Sequence, residues 1–540
     1  MSQQSIPGVV FQPQTREGLQ RGIAQLVALV RPTLGPIPRL VAVENTFRDR
    51  TPEVLEDAGV IARRVIQLKD RQADVGAMLL RDVLWRVQKQ VGDGTATAAI
   101  LFASLYEQGV RYIAAGGNAM QLRKALERGI ETILKALDAQ TQAIQGQKNL
   151  TRLAESLCFD AGLAPMLGEI FDTVGHYGFI ELRNSNSRQT SHRYVAGSYW
   201  PSKTLSPYFY TNPGALRYDL YDAAILLSDL DFNDPREMTS VVQSVLQSEH
   251  KALLIVANSL SESVLGLLVA AGRATPLKVV AVQAPEAGVA RIAALQDLAA
   301  LTGARPLLKD AGDSLRGWKL SDLGGARHIW SDNRRLGIVS GQGDPRRLRQ
   351  HIRSLQAAYE AAESDKKEPI RNRIGRLLGC SAAILIGGDT ESEINLLEER
   401  LKKSCALMRL ALHDGVLPGG GIALLNCQEA LNDLYTTSDQ DEQRAAYSML
   451  MRALEEPFNT IVSNAGYEPA AIRSELNNAP AGFGFDALTG QVVDMTAAGI
   501  YEITQVLKQA VRIGFSGAAT ALTIDTVVHK RKPEVAIARS

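Results

Sequence analysis

Gly92-Asp93-Gly94-Thr95-Ala96-Thr97 interrupts two helix-like stretches, and its reading decides the fold. Before it, apolar residues recur at Val75, Leu79, Leu80, Val83, Leu84, Val87 and Val91, the spacing of one helix face. After it, Ala98, Ile100, Leu101, Leu105 and Tyr106 predict a second helix from about Thr95. A glycine corner that opens a helix leaves the first N–H groups free and lets backbone approach an anion closely. Thr95 and Thr97 add hydroxyl donors. Asp93 is placed to hold Mg2+ bridging phosphates, because that ion takes one or two carboxylates plus phosphate oxygens. Two other turns share this character: Thr33-Leu34-Gly35-Pro36 and Pro418-Gly419-Gly420-Gly421. Each of the three, taken singly, also reads as a tight turn between helices. No G-x-x-x-x-G-K-[ST], and no G-x-G-x-x-G after a strand, is present, which disfavours a P-loop or Rossmann site.

Outward from these corners the organisation changes twice. A helix is expected over 120–137, after Gly116-Gly117-Asn118. The middle carries short apolar strands at 223–227, 252–257 and 277–282, with helices expected at 236–247 and 261–271, an α/β alternation. A further short apolar strand is expected at 382–386. Residues 344–378 read as charged and helical, and Asp365-Lys366-Lys367-Glu368 as a solvated face. Helices return at 391–413 and from Ile422. The expected class is therefore multidomain α and α/β, with the first and last thirds forming one domain and the middle inserted into it.

Composition sets the outer limits. The chain has 540 residues, 45% hydrophobic and 22% charged. That length suggests roughly three or four domains. Lys+Arg 59 against Asp+Glu 58 leaves a net charge of +1, so there is no global electrostatic case for nucleic acid or an anionic membrane. Cys158, Cys380, Cys405 and Cys427 lie far apart without a C-x-x-C and read as reduced thiols. The seven histidines show no metal-ligand spacing. Residues 1–15 lack the layout of a signal peptide, and no apolar stretch reaches the ~18 residues of a membrane span. The expectation is a cytoplasmic protein.

The three corners resemble a known family. Gly92 to Thr97 looks like the GDGT-T-T signature of chaperonins, Thr33 to Pro36 like their TLGP, and Pro418-Gly419-Gly420-Gly421-Ile422-Ala423-Leu424 like their GGG-V-AL. Other matches follow in the family's order: Leu205-Ser206-Pro207-Tyr208-Phe209, Pro235-Arg236-Glu237-Met238, Leu295-Gln296-Asp297-Leu298 with Leu301-Thr302-Gly303, and Ile386-Gly387-Gly388-Asp389-Thr390-Glu391. The chain thus resembles the group I (bacterial GroEL-type) chaperonins over almost its full length. The resemblance implies the chaperonin fold. A helical equatorial domain would come from 1–139 and 414–540, a small intermediate domain from 140–196 and 382–413, and an α/β apical domain from 197–381. Gly197 and Gly387-Gly388 would fall at hinges. Subunits would form a ring with copies of themselves or with a conventional chaperonin paralogue. The ring would enclose unfolded polypeptide clients and would be a partner for a co-chaperonin.

The resemblance also implies an ATP and Mg2+ site. Thr33, Leu34, Gly35 and Pro36 would surround adenine and phosphates, with Gly94, Thr95, Ala96 and Thr97 on phosphates and Asp93 on the metal. Gly420 would contact the ribose, Ile500 and Glu502 would close the adenosine end with Glu502 accepting from ribose hydroxyls, Gly419 and Asp486 would belong to the same nucleotide site, and Asp57 would lie near the γ-phosphate. Departures from the pattern are as informative as the matches. Ile37-Pro38-Arg39 stands for Lys-Gly-Arg, Glu56 for Lys, Ala96 for Thr, Asp486 for Asn and Glu502 for Asp. Lys403 stands where the family has the Asp that activates the attacking water. A lysine has three donors and no acceptor, so it is no base unless its pKa falls by several units, although it could pair with the γ-phosphate. Glu399, four residues earlier on the same helix face, could pair with Lys403; it or Asp57 could partly replace the lost carboxylate. Loss of an activating group costs roughly 10²–10⁴-fold in rate. ATP binding is therefore expected to survive better than hydrolysis.

Client binding would fall to Thr204, Leu205, Tyr208, Phe209, Thr239, Val242, Leu265, Val269 and Ala270. Thr204, Thr239 and Ala270 are more polar or smaller than the family's usual residues, which softens the groove. The family's Gly-Gly-Met tail is absent, and Lys530-Arg531-Lys532 reads as a solvated end. The expected function is an ATP-binding chaperonin-like ring subunit that assists folding with weakened hydrolysis. The alternative is a non-hydrolysing structural or binding paralogue.

Overall fold

The structure, a computed structural model, describes residues 8–36, 39–44, 52–158, 160–185, 187–195, 197–210, 217–332, 334–379, 381–480 and 482–529. Cys380, the Ile37-Pro38 departure and the basic run Lys530-Arg531-Lys532 lie outside the described residues. The chain forms two compact units, one from 1–172 with 399–540 and one from 173–398. The segments 140–196 and 382–413 are each divided by these boundaries.

The first unit is helical. Its helix Arg71–Val91 begins four residues before the apolar spacing does, because the Asp70 carboxylate accepts from Gln72 N and caps it. It stops at Gly92, whose left-handed φ of +74° suits glycine. The buried face is Ala73, Gly76, Ala77, Leu80, Val83, Leu84, Val87 and Val91. Gly76 is there for contact: a Cβ would lie 2.2 Å from Leu19 O, and one on Gly22 only 1.7 Å from Ala73 O. The helices Gln14–Val30 and Arg71–Val91 thus cross backbone to backbone. Thr95–Ala114 and Ala119–Gln140 follow, and Ile422–Thr437, Asp441–Asn464 and Thr504–Ala521 return from the other end of the chain. One core holds Leu26, Leu84, Phe102, Leu137, Leu424, Leu454 and Phe515, so both ends of the chain bury the same apolar surface. The strands Gly8–Val10 and Val527–His529 pair antiparallel within this unit.

The second unit is α/β. Its six-stranded sheet runs in the order Lys278–Gln283, Ala252–Ala257, Tyr218–Leu227, Gly324–Ser331, Arg335–Gly341, Ser198–Pro201. The first three strands are parallel and the rest antiparallel. Ala252–Ala257 is buried at every residue, as expected of a central parallel strand covered on both faces. A three-stranded sheet centres on Ser381–Ile386, parallel to Phe179–Asn184 and antiparallel to Ser191–Val195. The charged stretch 344–378 becomes two helices, Pro345–Ala361 and Ser364–Leu378. Asp297, 1% exposed, accepts from Arg373 at 2.9 and 2.8 Å and lies 2.7 Å from His351 Nε2. That charge-assisted cluster ties three helices together and gives the Leu295-Gln296-Asp297-Leu298 motif a packing role. The described cysteines Cys158, Cys405 and Cys427 are buried. Among the described residues, no helix is long and apolar enough to cross a membrane.

Candidate functional site

The three glycine corners all lie in the helical unit. Gly94, at φ +79°, is the N-cap of Thr95–Ala114 and offers no side chain to its free N–H groups. A Cβ there would lie 2.8 Å from Val506 Cγ1. Thr95, Ala96 and Thr97 are buried. Thr33 donates its hydroxyl to Val30 O at 2.7 Å, Leu34 packs on the core, and Gly35 has φ +120° with nothing among the described residues within 4 Å of its Cβ position. Asn464 holds this turn, its Nδ2 donating to Arg31 O (3.0 Å) and Leu34 O (2.8 Å). The turn Arg31–Thr33 also packs against Thr95–Ala114.

The strand Val416–Pro418 pairs with Tyr501–Ile503, which sets Leu417 opposite Glu502. Gly419 N donates to Ile500 O at 3.0 Å. Gly420 (φ +65°) and Gly421 (φ +80°) turn the chain into Ile422–Thr437, and a Cβ on Gly421 would meet Phe458 Cα at 3.0 Å. Phe458 and Asn464 share the helix Asp441–Asn464, so one helix touches both the 418–421 corner and the 31–36 turn. Glu502 feels the charge of Asp93. Contacts therefore draw segments from opposite ends of the chain into one region. Asn464 is the member that the sequence reading missed. A lone amide near a helix end looks like an ordinary cap, and no local signal marks it.

Lys403 dominates the electrostatics. Its Nζ donates to Asp57 Oδ2 at 2.7 Å and lies 3.3 Å from Asp93 Oδ1. Burial alone would lower its pKa, but the Asp93 and Asp57 carboxylates outweigh burial and hold it above the ordinary lysine value. The ammonium keeps its proton at neutral pH and has no lone pair to accept one from water. Asp57 is fully engaged as well. Its Oδ1 caps Ala58–Arg64 by accepting from Gly59 N (2.9 Å) and Val60 N (3.0 Å), while Oδ2 takes Lys403. The expected Glu399–Lys403 pair is not made: Glu399 pairs with Lys402 at 2.9 Å, because Lys403 reaches inward to the nearer acidic pair. Asp486 closes its own hairpin turn, accepting from Leu488 N (2.9 Å) and Thr489 Oγ1 (2.7 Å), so its carboxylate is committed locally. Ile500 packs partly buried beside Phe485 and Met495. Glu502 Oε2 is buried without a hydrogen-bond partner among the described residues; burial, helped by the Asp93 charge, pushes the carboxyl up to about 7.

This donor set suits a polyphosphate anion: an uncapped helix start with Thr95 and Thr97 in its first turn, left-handed glycines and one inward ammonium. It suits a divalent cation at Asp93 poorly, since the Lys403 ammonium already lies against that carboxylate. Among the described residues, no group of three or more His, Cys, Asp or Glu side chains could hold a metal ion.

The residues expected to bind clients divide in the second unit. Tyr208 is 73% exposed and Ala270 is exposed, while Leu205, Thr239, Leu265 and Val269 are half-buried. Thr204 Oγ1 is buried without a partner among the described residues. Phe209 and Val242 are corrections to the expected surface: at 6% and 5% exposure they belong to the core. Val242 shares a helix face with Met238, Val241 and Val245, and that face packs inward.

The helical unit is built from both ends of one chain, and the α/β unit is inserted between them in sequence. The chain belongs to the TCP-1/cpn60 chaperonin family, whose model matches residues 26–158 and 223–532. It is similar in fold to the chaperonin gp146 from the bacteriophage EL 2 (Pseudomonas aeruginosa), crystallised in the presence of ATP-BeFx. In crystal form I the identity is 19%, covering 97% of this chain and 99% of that one, with a TM-score of 0.68. In form II the identity is 20%, with the same coverage and a TM-score of 0.62.

Proposed function

We propose that this chain is a chaperonin-type ring subunit, of the group I kind in its motifs, that binds ATP in its helical unit and captures non-native polypeptide with its α/β unit, with hydrolysis much weakened. The observation that carries this reading is the Lys403 ammonium lodged between Asp57 and Asp93, where the family resemblance expects a water-activating Asp. The uncapped start of Thr95–Ala114 and the corners at Gly35 and Gly420 supply the anion-binding part. The ATP-BeFx present with gp146 is consistent with a nucleotide ligand. In this reading 140–196 and 382–413 form the intermediate domain, and buried cysteines spaced without a C-x-x-C fit a reducing, cytoplasmic setting.

The second reading, a non-hydrolysing binding or structural paralogue, gains from the client set. With Phe209 and Val242 in the core, less apolar surface is left for capture.

Phosphate release on the purified protein separates the two readings. Lys403→Asp restores an acceptor, so its turnover is expected to exceed that of the native chain by roughly 10²–10⁴-fold. Measurable slow release by the native chain supports the first reading, and none at all supports the second. Family-typical turnover by the native chain overturns both.

A further inference from the structure

We propose that Lys403 is a tethered cation: its ammonium fills the position between the Asp57 and Asp93 carboxylates that a divalent ion would take, and it lets this site bind a nucleoside triphosphate with little help from Mg2+. The inference rests on the nucleotide reading above and deepens it.

Lys403 is built into the site. Its neighbour Lys402, 51% exposed, pairs with Glu399 on the same helix, whereas Lys403, 39% exposed, reaches Asp57 across 346 residues of sequence. Charge balance asks for such a group. Asp57, Asp93 and Glu502 place three carboxyl groups around a region whose backbone invites an anion. A triphosphate entering there is repelled unless a cation intervenes. Lys403 supplies that charge permanently and from within the chain. An ammonium has three N–H donors; Asp57 and Asp93 account for two, which leaves a third for a phosphate oxygen. The four-carbon stem also allows the charge to shift from carboxylate to phosphate as a ligand arrives. A divalent ion at Asp93 would have to displace the ammonium and then sit beside it.

The test is equilibrium binding of a non-hydrolysable ATP analogue to the full chain, once in excess Mg2+ and once in excess EDTA. Wild-type affinity is expected to differ between the two by less than about threefold, and that of Lys403→Asp to fall by more than about tenfold in EDTA. A wild-type chain that loses affinity in EDTA as steeply as the variant overturns the tethered cation. No binding by folded wild-type protein in either buffer overturns the nucleotide reading, and a second measurement still judges Lys403. Mn2+ is titrated into nucleotide-free protein and bound metal is read by electron paramagnetic resonance. Mn2+ taken up by Lys403→Gln but not by the wild type supports the ammonium as occupant of the divalent position. Equal uptake by both, or by neither, overturns it. Thermal melts confirm that each variant is folded before it is scored.

Discussion

Glu502 carries a pH dependence that can be assigned to one oxygen. Its Oε2 is buried with no partner among the described residues, and the carboxyl is pushed up to about 7 by burial and then by Asp93. In the unfolded chain the same group titrates at about 4.3. Between these values the folded state binds the extra proton. The stability it contributes is therefore complete below the unfolded value and is lost as pH rises through about 7. Between about pH 5 and pH 8 the wild type should lose about 2–3 kcal/mol that Glu502→Gln does not lose. Chemical denaturation across that range checks this, and parallel curves would refute it. The resemblance marked Glu502 as a ribose contact, but nothing local to β-strand sequence announces an unpartnered oxygen.

Elements carry the next level, and two glycines of one corner separate their causes. Gly92 and Gly94 both have left-handed φ, but among the described residues a Cβ on Gly92 meets nothing within 4 Å, whereas one on Gly94 meets Val506. Gly92→Ala should cost only its backbone strain, about 1 kcal/mol. Gly94→Ala should cost about 2–3 kcal/mol and also displace the helix start, weakening nucleotide binding by more than about tenfold. Melting curves and analogue binding on both variants decide this; equal effects would contradict the steric account. Asn464→Ala removes two hydrogen bonds from the 31–36 turn, worth about 1 kcal/mol each. Faster amide exchange at 31–35 and several-fold weaker analogue binding, with little change in the global melt, are expected. The helices were legible because their signal is local. Spacing at Val75 to Val91 and the stop at Gly92 recover Arg71–Val91 to within one turn. The strands Phe179–Asn184, Ser191–Val195 and Gly324–Ser331 were not, because they carry charges and two histidines that mask any alternation.

For the whole molecule, the inserted architecture followed from the order of helical, α/β and helical stretches, and the shared core of the first unit agrees with it. The proposed assembly is tested at this scale. Native mass spectrometry and particle imaging, with and without ATP, are expected to find rings, and a chain that stays monomeric in both conditions removes the ring reading.

By itself the sequence determined the helix faces, the three glycine corners, the buried strand Ala252–Ala257 and the family. Each depends on neighbours a few residues apart or on motif order. Only the tertiary structure decided that Lys403 answers to Asp57 and Asp93 rather than to Glu399, that Val242 and Phe209 serve the core, and that Gly22 and Gly76 let two helices touch. Charge state and exposure are set by desolvation and by charges a few ångströms away, and residues hundreds of positions apart become such neighbours only when the chain has folded.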